Sequence, residues 1–352
     1  INQNTFRINL MKDYVNWAIL APGSIANSMA AAMKGSQGKI KLYAVGSRKV
    51  DRAKEFATKW GFEKYYGSYE ELLSDPNVDA VYVANPHAFH FDAVMQCLEH
   101  NKHVLCEKPA GCNFWQLDKM TQTAKEKNLF FMEAMWTAFN PCVNKIKEII
   151  SEGKIGKLKH IESRFCNRTP FDPKNRLWAP ELAGGALLDL GIYNIFFAYY
   201  LNNFEPILHF NSNVRMENNV DAWNSVNIAF TNGVTTSFQS ACDMPAASNT
   251  HDAVIFGTEG YITTQNFFMS QEAQIHKYKS EWGNDNEVVE TIKFPFEVNG
   301  YEYELREATE CILQGKTECE KFPFVQSEML CKTMDALRAS WNFVYPFECC
   351  KN

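Results

Sequence analysis

The sequence predicts an α/β protein in two parts: a doubly wound parallel sheet, followed by an α+β domain with a large, mostly antiparallel sheet. Two patterns predict this architecture. Short, nearly continuous apolar runs alternate with helical stretches over the first third of the chain, which is typical of parallel strands covered on both faces. From about residue 157 to 295 the runs are longer and alternate apolar with polar residues, as antiparallel strands with one buried face do.

The first domain is predicted to span residues 14–137. Its strands are assigned to short apolar runs at 17–21, 40–45, 79–84, 103–107 and 129–134. Helical patterns separate these runs, one ending near Met33 and the others covering 49–60, 88–100 and 113–127. A strand–helix repeat of this kind builds βαβ units, which make the strands parallel and place helices on both faces of the sheet.

The second domain is predicted to span residues 138–348. Strands are assigned to 158–166, 224–230, 234–242, 253–258, 273–278 and 287–294. Thr231-Asn232-Gly233 separates two of these runs and predicts a hairpin, because Asn-Gly supplies residues that accept a positive φ. One helix is expected at 188–201, and two more close the chain at 302–314 and 325–342. Since no linker or repeat separates the domains, they are expected to share a cleft.

Composition narrows the class of partner. The 352 residues carry a net charge of −6, so the basic surface of a nucleic-acid-binding protein is not expected. No apolar run reaches the roughly 18 residues of a membrane-spanning helix, and no membrane association is expected. The polar first ten residues do not resemble a secretory signal. We expect residues 1–13 to be an extension of unassigned role, with Met11 as the native start.

Cysteine usage indicates the redox compartment. The chain has 11 cysteines and no CxxC pair. Several cysteines lie in apolar runs, which favours reduced thiols used as small core residues. The expected localisation is therefore cytoplasmic. No Cys/His cluster has the spacing of a zinc site, so no metal is expected.

A glycine turn follows the first predicted strand. Residues 21–26 are Ala-Pro-Gly-Ser-Ile-Ala, which fits G-x-G-x-x-A with alanine in place of the first glycine. Without a Cβ, Gly23 lets backbone approach a pyrophosphate, and the next helix N-terminus supplies N–H donors. Ala21, Gly23, Ser24 and Ile25 are therefore predicted to bind a dinucleotide. An ordinary βα turn is the alternative.

The end of the second predicted strand indicates which dinucleotide binds. An NAD site usually has a carboxylate there for the ribose 2′-hydroxyl, whereas this chain has Ser47 and Arg48. A hydroxyl and a guanidinium suit a 2′-phosphate, so NADP is the predicted cofactor. A solvated arginine that begins a helix is the alternative.

A family resemblance joins several blocks of the sequence. Glu107-Lys108-Pro109 ends the strand at 103–107, where a lysine can hold positive charge beside a reacting oxygen. With AILAPGSIA, VANPHAFH, EAMWTAFNP and GGALLDLGIY, this block resembles the glucose-fructose oxidoreductase/inositol dehydrogenase (Gfo/Idh/MocA) family. GYEYELREATECILQGKTE and ALRASWNFVYPFE narrow the resemblance to the branch of dimeric dihydrodiol dehydrogenases and NADP-dependent D-xylose dehydrogenases.

The resemblance implies a catalytic set. Lys108 matches the catalytic lysine of the family, and Tyr193 ends the block Asp-Leu-Gly-Ile-Tyr, where other branches have histidine. We predict that Tyr193 is the acid/base, that Lys108 lowers the pKa of Tyr193, and that Asp189 orients them. Asp189 and Tyr193 are four residues apart, so on a helix they share one face. The alternatives are a core aromatic for Tyr193 and a surface lysine for Lys108.

The resemblance also implies contacts to cofactor and substrate. The loop after the strand at 79–84 borders the ribose and nicotinamide in that family, so the predicted cofactor contacts include Asn85, His87, His90, Glu107 and Lys108. Trp136, Arg176 and Trp178 are predicted to line the substrate site, with structural anchoring as the alternative for Trp178. The family branch usually has arginine where this chain has Ala138, which leaves the substrate open.

The predicted function is hydride transfer between NADP(H) and a secondary alcohol or hemiacetal carbon of a sugar, polyol or trans-dihydrodiol. Two alternatives stay open: a non-catalytic NAD(P)-binding regulator of the same fold, and an NAD-linked inositol-type dehydrogenase. Retention of Lys108 and Tyr193 favours an enzyme, and Ser47-Arg48 disfavours NAD. A large sheet with one free face, together with the resemblance to a dimeric enzyme, predicts a homodimer.

Overall fold

A computed structural model describes residues 12–245, 251–281 and 285–348 of the chain. Its first sheet contains β1 (Val15–Leu20), β2 (Ile40–Gly46), β3 (Lys64–Tyr66), β4 (Ala80–Val83), β5 (His103–Glu107) and β6 (Phe131–Ala134). The strands are all parallel, in the order β3-β2-β1-β4-β5-β6. The connecting helices are α1 (Ser24–Gly35), α2 (Val50–Trp60), α3 (Tyr69–Leu73), α4 (His90–Glu99) and α5 (Phe114–Glu126).

This sheet confirms the predicted doubly wound fold. Every residue of β4 is buried, as expected for a central strand under helices on both faces. The strand β3 and the helix α3 were not predicted from the sequence. They are three and five residues long, and β3 has two exposed residues, so neither forms an apolar run long enough to show a period.

The second sheet confirms the predicted α+β domain. It contains β7 (Leu158–Cys166), β8 (Ile207–Glu217), β9 (Val220–Phe230), β10 (Thr235–Ala241), β11 (Ala253–Gly257), β12 (Gly260–Thr264), β13 (Glu272–Tyr278) and β14 (Asn286–Lys293). The order is β14-β13-β12-β11-β7-β10-β9-β8, and neighbours are antiparallel except for β7 and β10. Gly233 has a φ of 85° between the antiparallel β9 and β10, which confirms the hairpin.

Two strands of this sheet were not predicted. The edge strand β8 has no fully buried residue, so its sequence lacks an apolar face. The strand β12 begins three residues after the end of β11, and the turn between them is too short to separate two runs in the sequence.

Within the described residues, four further helices complete the fold: α6 (Pro141–Ser151), α7 (Ile192–Leu201), α8 (Tyr301–Leu313) and α9 (Phe324–Ser340). Of these, α6 was not predicted. The helix α7 packs on β7 and β10, whereas α8 returns to α1 and α9 to α5. The end of the chain therefore packs on the first domain. The boundary at 137/138 stays a prediction, with one sheet on either side of it.

The parallel register brings the carboxyl ends of four strands to one edge. Leu20 of β1 pairs with Gly46 of β2 and with Val83 of β4, and Val83 pairs with Cys106 of β5. The loops that leave β1, β2, β4 and β5 therefore start side by side. The strand order reverses between β1 and β4, which is where sheets of this kind bind ligands.

One helical stretch, Pro180–Leu201, is long and apolar enough by composition to cross a membrane, and 94% of its most apolar window is buried inside the structure. Its apolar residues belong to the main hydrophobic core, and α7 packs on β7 and β10, as a core helix does. The stretch includes α7 and the turn that carries Asp189.

Candidate active site

The glycine turn after β1 adopts the shape that its sequence pattern requires. Ala21 has a φ of 69°, the left-handed conformation for which glycine is usual at this position. Its alanine is therefore accommodated at a cost of about 1–2 kcal/mol. Gly23 caps α1, which begins at Ser24. Ser24 is exposed and Ile25 half-buried at the open side of the turn.

Basic side chains surround the end of β2. Ser47 is buried, and its Oγ accepts a hydrogen bond from the N–H of Lys49 at 3.3 Å. Arg48 is exposed. One turn further along α2, Arg52 donates from Nη2 to the carbonyl oxygen of Pro22 at 3.3 Å. The structure thus adds a second guanidinium, not predicted from the sequence, beside the glycine turn.

In the loop after β4, Asn85 has an oxygen that the described residues leave free to bind a ligand, whereas the ring of His87 is held within the protein. Asn85 donates from Nδ2 to the carbonyl of Phe89 at 3.1 Å, whereas its buried Oδ1 has no hydrogen-bond partner among the described residues. The ring of His87 is buried, 3.2 Å from the Ala183 oxygen through Nδ1 and 3.6 Å from Asp189 Oδ1 through Nε2. Burial lowers the pKa of His87 well below its usual value, against the attraction of Asp189, so the imidazole is neutral.

The structure differs from expectation at His90. Its ring is fully buried, and its two nitrogens lie 2.8 Å from the Pro109 oxygen and 2.7 Å from the Asn85 oxygen. Burial lowers the pKa of His90 to about 4. Because both ring nitrogens already face backbone carbonyls, His90 holds two loops together and offers no free nitrogen to a cofactor.

A buried acidic cluster lies beside the strand end of β5. Tyr82 donates its hydroxyl hydrogen to Glu107 Oε1. Glu304, on α8, is fully buried, and neither of its carboxylate oxygens has a partner among the described residues. Burial raises the pKa of Glu107 and, with the nearby Glu107 charge, the pKa of Glu304. Glu304 is therefore held as a neutral acid. In the sequence, only its place in the block GYEYELREATECILQGKTE could have indicated a part in the site.

Lys108 joins the two domains through Asp189. Its buried Nζ donates to Asp189 Oδ1 at 3.1 Å and to the Asp189 carbonyl oxygen at 2.6 Å. Arg176 completes the cluster with two parallel bonds, Nη1 to Oδ1 at 3.0 Å and Nη2 to Oδ2 at 3.1 Å. Burial alone would raise the pKa of Asp189, but Lys108 and Arg176 hold it well below the usual range. Asp189 is therefore a fixed anion between two cations.

Asp189 and Tyr193 approach Lys108 from one helical segment. Asp189 lies in a π-helical turn, Leu187–Gly191, that continues into α7, where Tyr193 is the second residue. Such turns recur at functional sites. The Lys108 ammonium lies 4.7 Å from the centre of the Tyr193 ring. The fold therefore brings together the three residues predicted to be catalytic.

The pKa of Tyr193 differs from the prediction that Lys108 lowers it. Burial raises the pKa of Tyr193 well above 10, and the nearby Tyr301, Glu107 and Asp189 raise it further. Lys108 is engaged by Asp189 and lies over the face of the phenol ring. A phenol in this state is protonated near neutral pH and able to donate its hydrogen.

Aromatic side chains enclose the Tyr193 hydroxyl. Trp136 donates from Nε1 to the Tyr193 oxygen at 3.1 Å and stacks on Tyr301 with centroids 4.3 Å apart. On the other side, the rings of Phe268 and Phe165 lie 5.2 Å and 5.6 Å from that of Tyr193. Trp136 was predicted from the sequence, whereas Tyr301, Phe165 and Phe268 were not, because they reach the site from distant segments.

The other two residues predicted to line the substrate site, Arg176 and Trp178, lie in different surroundings. Arg176 has an exposed side chain whose guanidinium is bound to Asp189, so it lies at the site. Trp178 is 1% exposed, packs in a small cluster with Leu177 and Val220, and donates to the Pro170 carbonyl at 3.1 Å. These contacts favour the alternative, structural anchoring, and that Trp178 lines the substrate site stays a prediction. Ala138 is buried in the short 3-10 turn that holds Trp136.

A buried carboxylate supports the catalytic turn from behind. Asp221, fully buried on β9, accepts hydrogen bonds through Oδ2 from the Leu187 N–H at 2.7 Å and from Asn224 Nδ2 at 2.9 Å. A Cβ on Gly185, whose φ is 107°, would lie 2.1 Å from Asp221 Oδ1. The carboxylate therefore fits directly beneath the backbone that leads to Asp189. Burial raises the pKa of Asp221 to about 7.

This pKa predicts a pH-dependent contribution to stability. An acid whose folded pKa rises from 3.8 to about 7 binds its proton more tightly in the folded state, so its contribution is fully present below pH 3.8 and is lost as the pH rises through 7. We expect Asp221→Asn, which keeps an acceptor for Leu187, to remove this loss, on the order of a few kcal/mol between pH 5 and 8. Urea unfolding of parent and variant at both values gives the difference. The exposed Asp13→Asn is the control, and parallel pH profiles for Asp221→Asn and the parent would contradict the assignment.

The edge of the first sheet fits a dinucleotide. A Cβ on Gly23 would meet only the Ala21 oxygen, at 3.9 Å, so the space beside the turn is open. The first turn of α1 has no side-chain cap and no acidic residue, which leaves its N–H groups and the positive end of the helix dipole for a pyrophosphate. The unpartnered Oδ1 of Asn85 adds an acceptor at the same edge.

Comparison with known proteins gives matches over both domains. Residues 15–135 match the model of an oxidoreductase family with an NAD-binding Rossmann fold, and residues 143–263 match the GFO/IDH/MocA C-terminal domain. Trans-1,2-dihydrobenzene-1,2-diol dehydrogenase of Mus musculus is 31% identical over 339 residues, covering 94% of this chain and 98% of the relative. The enzyme of that name from Macaca fascicularis is 33% identical over 335 residues, with the same coverage.

Solved structures share the fold over nearly the whole chain. A 3-ketoreductase from Actinomadura kijaniata, in complex with NADP and TDP-benzene, has a TM-score of 0.82 at 23% identity, with 93% of this chain and 97% of that chain covered. Levoglucosan dehydrogenase in complex with NADH and levoglucosan has a TM-score of 0.82 at 20% identity, with the same coverage. From the matched domains and from relatives more than 30% identical over nearly their full length, we conclude that the chain belongs to the GFO/IDH/MocA oxidoreductase family.

Proposed function

We propose that this protein is an NADP-dependent dehydrogenase that acts on a secondary alcohol or hemiacetal carbon. The observation that carries the proposal is the meeting of Lys108, Asp189 and Tyr193 across the two domains, next to the strand ends where a dinucleotide fits. A protein that only binds its cofactor has no need to hold a lysine and a tyrosine from different domains together at this place. A panel of sugars, polyols and trans-dihydrodiols, run with NADP⁺ and NAD⁺ in parallel, tests the proposal.

Each residue of the site has its own role in the proposed reaction. When bound, the nicotinamide supplies or accepts the hydride. Tyr193, protonated because burial raises its pKa well above 10, donates its hydrogen to the carbonyl oxygen in the direction of reduction and takes it back in oxidation. Lys108 holds the positive charge that stabilises the developing oxyanion, and Asp189 fixes the position of Lys108. Reduction should therefore be nearly independent of pH near neutrality, and oxidation should accelerate as the pH rises.

Preference for NADP is proposed from the charges at the end of β2. Among the described residues that leave this strand, Ser47, Arg48 and Lys49 include no carboxylate. Arg48 is exposed, and Arg52 contacts the glycine turn through the Pro22 carbonyl. A guanidinium there can bind a 2′-phosphate through charge-assisted hydrogen bonds. The structural relative in complex with NADP supports the same preference.

We expect NADPH to bind at least about tenfold more tightly than NADH, because one charge-assisted bond contributes about 1.5–3 kcal/mol. Arg48→Ala should remove most of that difference and leave the Kd for NADH unchanged. Fluorescence titration with both dinucleotides measures the four Kd values. The control is Lys54→Ala, an exposed cation further along α2, and equal affinities in the parent protein would refute the preference.

The proposed substrate is a small ring with adjacent hydroxyl groups: a sugar, a polyol or a trans-dihydrodiol. The rings of Trp136, Tyr301 and Phe268 pack together around the Tyr193 hydroxyl, and Arg176 is paired with Asp189 in the same site. Apolar rings beside a charged pair suit a substrate ring that packs through one face and hydrogen-bonds through its edge. The names of the mouse and macaque relatives favour a trans-dihydrodiol as the first compound to test.

We further propose a homodimer through the open face of the large sheet. The helix α7 covers one face of β7 and β10, whereas alternate residues such as Glu162, Arg164 and Ser237 point to the other face and are half-buried or exposed. Light scattering at micromolar concentration should give about twice the 40.3 kDa of one chain. Ser237→Arg should lower this mass, and a parent mass near that of one chain would count against the dimer.

The proposed compartment is the cytoplasm. Every cysteine within the described residues is a buried free thiol, which suits a reducing environment.

A further inference from the structure

Two thiols and a carboxylate converge at the end of α8, in a place that the proposed reaction does not use. Glu307 and Cys311 are one turn apart on this helix, and Cys319 follows in the loop that leads to α9. One ligand atom of each residue lies within 4.8 Å of the others. The sequence spacing E-x3-C-x7-C is not that of a zinc motif, so the cluster becomes visible only in the fold.

Both thiols lie in the interior. Cys311 is 3% exposed and Cys319 is fully buried. The chain folds back just after Cys319, where the N–H of Phe322 donates to the Cys319 carbonyl oxygen at 3.2 Å. The two sulfurs and a Glu307 carboxylate oxygen therefore lie within 4.8 Å of one another in a place closed on the sulfur side, as the donors of a metal site do.

Glu307 opens the cluster to solvent. Its side chain is 25% exposed and pairs with Lys321. An ion bound to two thiolates and this carboxylate would leave one net negative charge on the complex. The ammonium of Lys321 can neutralise that charge from the outside. An ion can therefore reach the sulfurs from the Glu307 side, and a water can occupy a fourth position there.

We propose that Glu307, Cys311 and Cys319 bind a thiophilic divalent cation of the zinc class. Tetrahedral zinc, with Zn–S of about 2.3 Å and Zn–O of about 2.0–2.2 Å, needs ligand atoms about 3.5–3.8 Å apart, so a small inward movement from the observed spacing suffices. Binding releases the protons of the thiols to solvent and changes no oxidation state. Two sulfur donors favour zinc or cobalt over magnesium and calcium, which prefer oxygen.

The ion would connect the end of α8 to the first domain. The carbonyl of Thr317, in the same loop as Cys319, accepts a hydrogen bond from the N–H of Phe131 on β6 at 3.1 Å. The helix α8 also begins with Tyr301, which stacks on Trp136. A bound ion should therefore stabilise the folded chain, because it binds the preformed cluster and not the unfolded one.

The test uses the full chain with Cys349→Ser and Cys350→Ser, which removes the two terminal cysteines as competing ligands. After chelation under a phosphine reductant, Co²⁺ is titrated and its sulfur-to-cobalt charge-transfer band is followed. We expect one equivalent of Co²⁺ to saturate the band, Zn²⁺ to displace it, and Zn²⁺ to raise the Tm. Cys319→Ser should lose the band and the Tm shift, and Glu307→Gln should keep a sulfur band but weaken binding at least tenfold.

The matched control is Cys166→Ser, a buried cysteine on β7, which should leave the Co²⁺ titration unchanged. If Cys319→Ser does not fold, Glu307→Gln still decides, because an unchanged Co²⁺ affinity in that variant contradicts the site. The absence of a charge-transfer band in the parent overturns the proposal. So does a Cys311–Cys319 disulfide that forms under peroxide while the reduced protein binds no Co²⁺, since the pair would then be a redox couple only.

Discussion

Tyr193→Phe is expected to lower kcat by about 10²–10⁴-fold, the usual contribution of general acid–base catalysis. Only the hydroxyl is lost, so the contacts of the ring with Phe165 and Phe268 remain. The Kd for NADPH should change by less than about twofold. Trp136 loses the acceptor of its indole N–H, so a small loss of stability is also expected. Steady-state kinetics with the best substrate of the panel, together with cofactor titration, measure both effects.

A matched substitution separates chemistry from packing. Tyr199→Phe, one helical turn and a half further along α7, removes a buried hydroxyl that contacts Thr333 at 3.0 Å. It should reduce stability and leave kcat unchanged. If Tyr193→Phe retains kcat within about threefold of the parent, Tyr193 is a core aromatic and the proposed proton transfer is wrong.

Lys108→Met is the second substitution with a large expected effect. The ammonium holds both the side chain and the carbonyl oxygen of Asp189 and is the cation over the Tyr193 ring. Its loss removes positive charge from the place where an oxyanion develops, so kcat should fall at least about 10²-fold. The apparent pKa of the oxidation reaction should rise, because an ionised phenol loses its nearest cation.

The chain offers a suitable control for the loss of a buried lysine. Lys102 is also buried and donates to the carbonyl oxygens of Asp75 and Val78. Lys102→Met should lower stability and leave the pH profile of kcat unchanged. The effects of Lys108→Met and Tyr193→Phe should not add, because both act on one proton transfer. Additive losses, or a pH profile that Lys108→Met does not move, would contradict the shared role.

An element of this structure can be predicted when its own residues carry a pattern, such as an apolar run, and cannot when it depends on distant parts of the chain. The strands β1, β2, β4, β5 and β6 are short, nearly continuous apolar runs, so each can be recognised from its own sequence. The edge strand β8 has no buried residue and therefore no periodic signal. The fold class follows from the strong elements and does not require the weak ones.

The candidate site, like the fold, could be predicted only in part. Lys108 and Tyr193 belong to blocks that can be recognised in the sequence, and the fold brings them together. The direction of a side chain cannot be predicted in this way: the indole of Trp178 points into a structural cluster and the ring of His90 into the interior. Tyr301 and Glu304 come from a helix that returns to the first domain, so their part in the site depends on tertiary packing alone.

Hydride transfer to NADP⁺ is tested most directly by following deuterium from substrate to cofactor. The best alcohol of the panel is prepared with deuterium on its carbinol carbon and incubated with the protein and NADP⁺. We predict NADPH that carries the deuterium, a primary isotope effect on kcat, and loss of product formation in Tyr193→Phe. Tight binding of NADP(H) with no labelled NADPH from any compound of the panel would contradict the claim and favour a non-catalytic regulator.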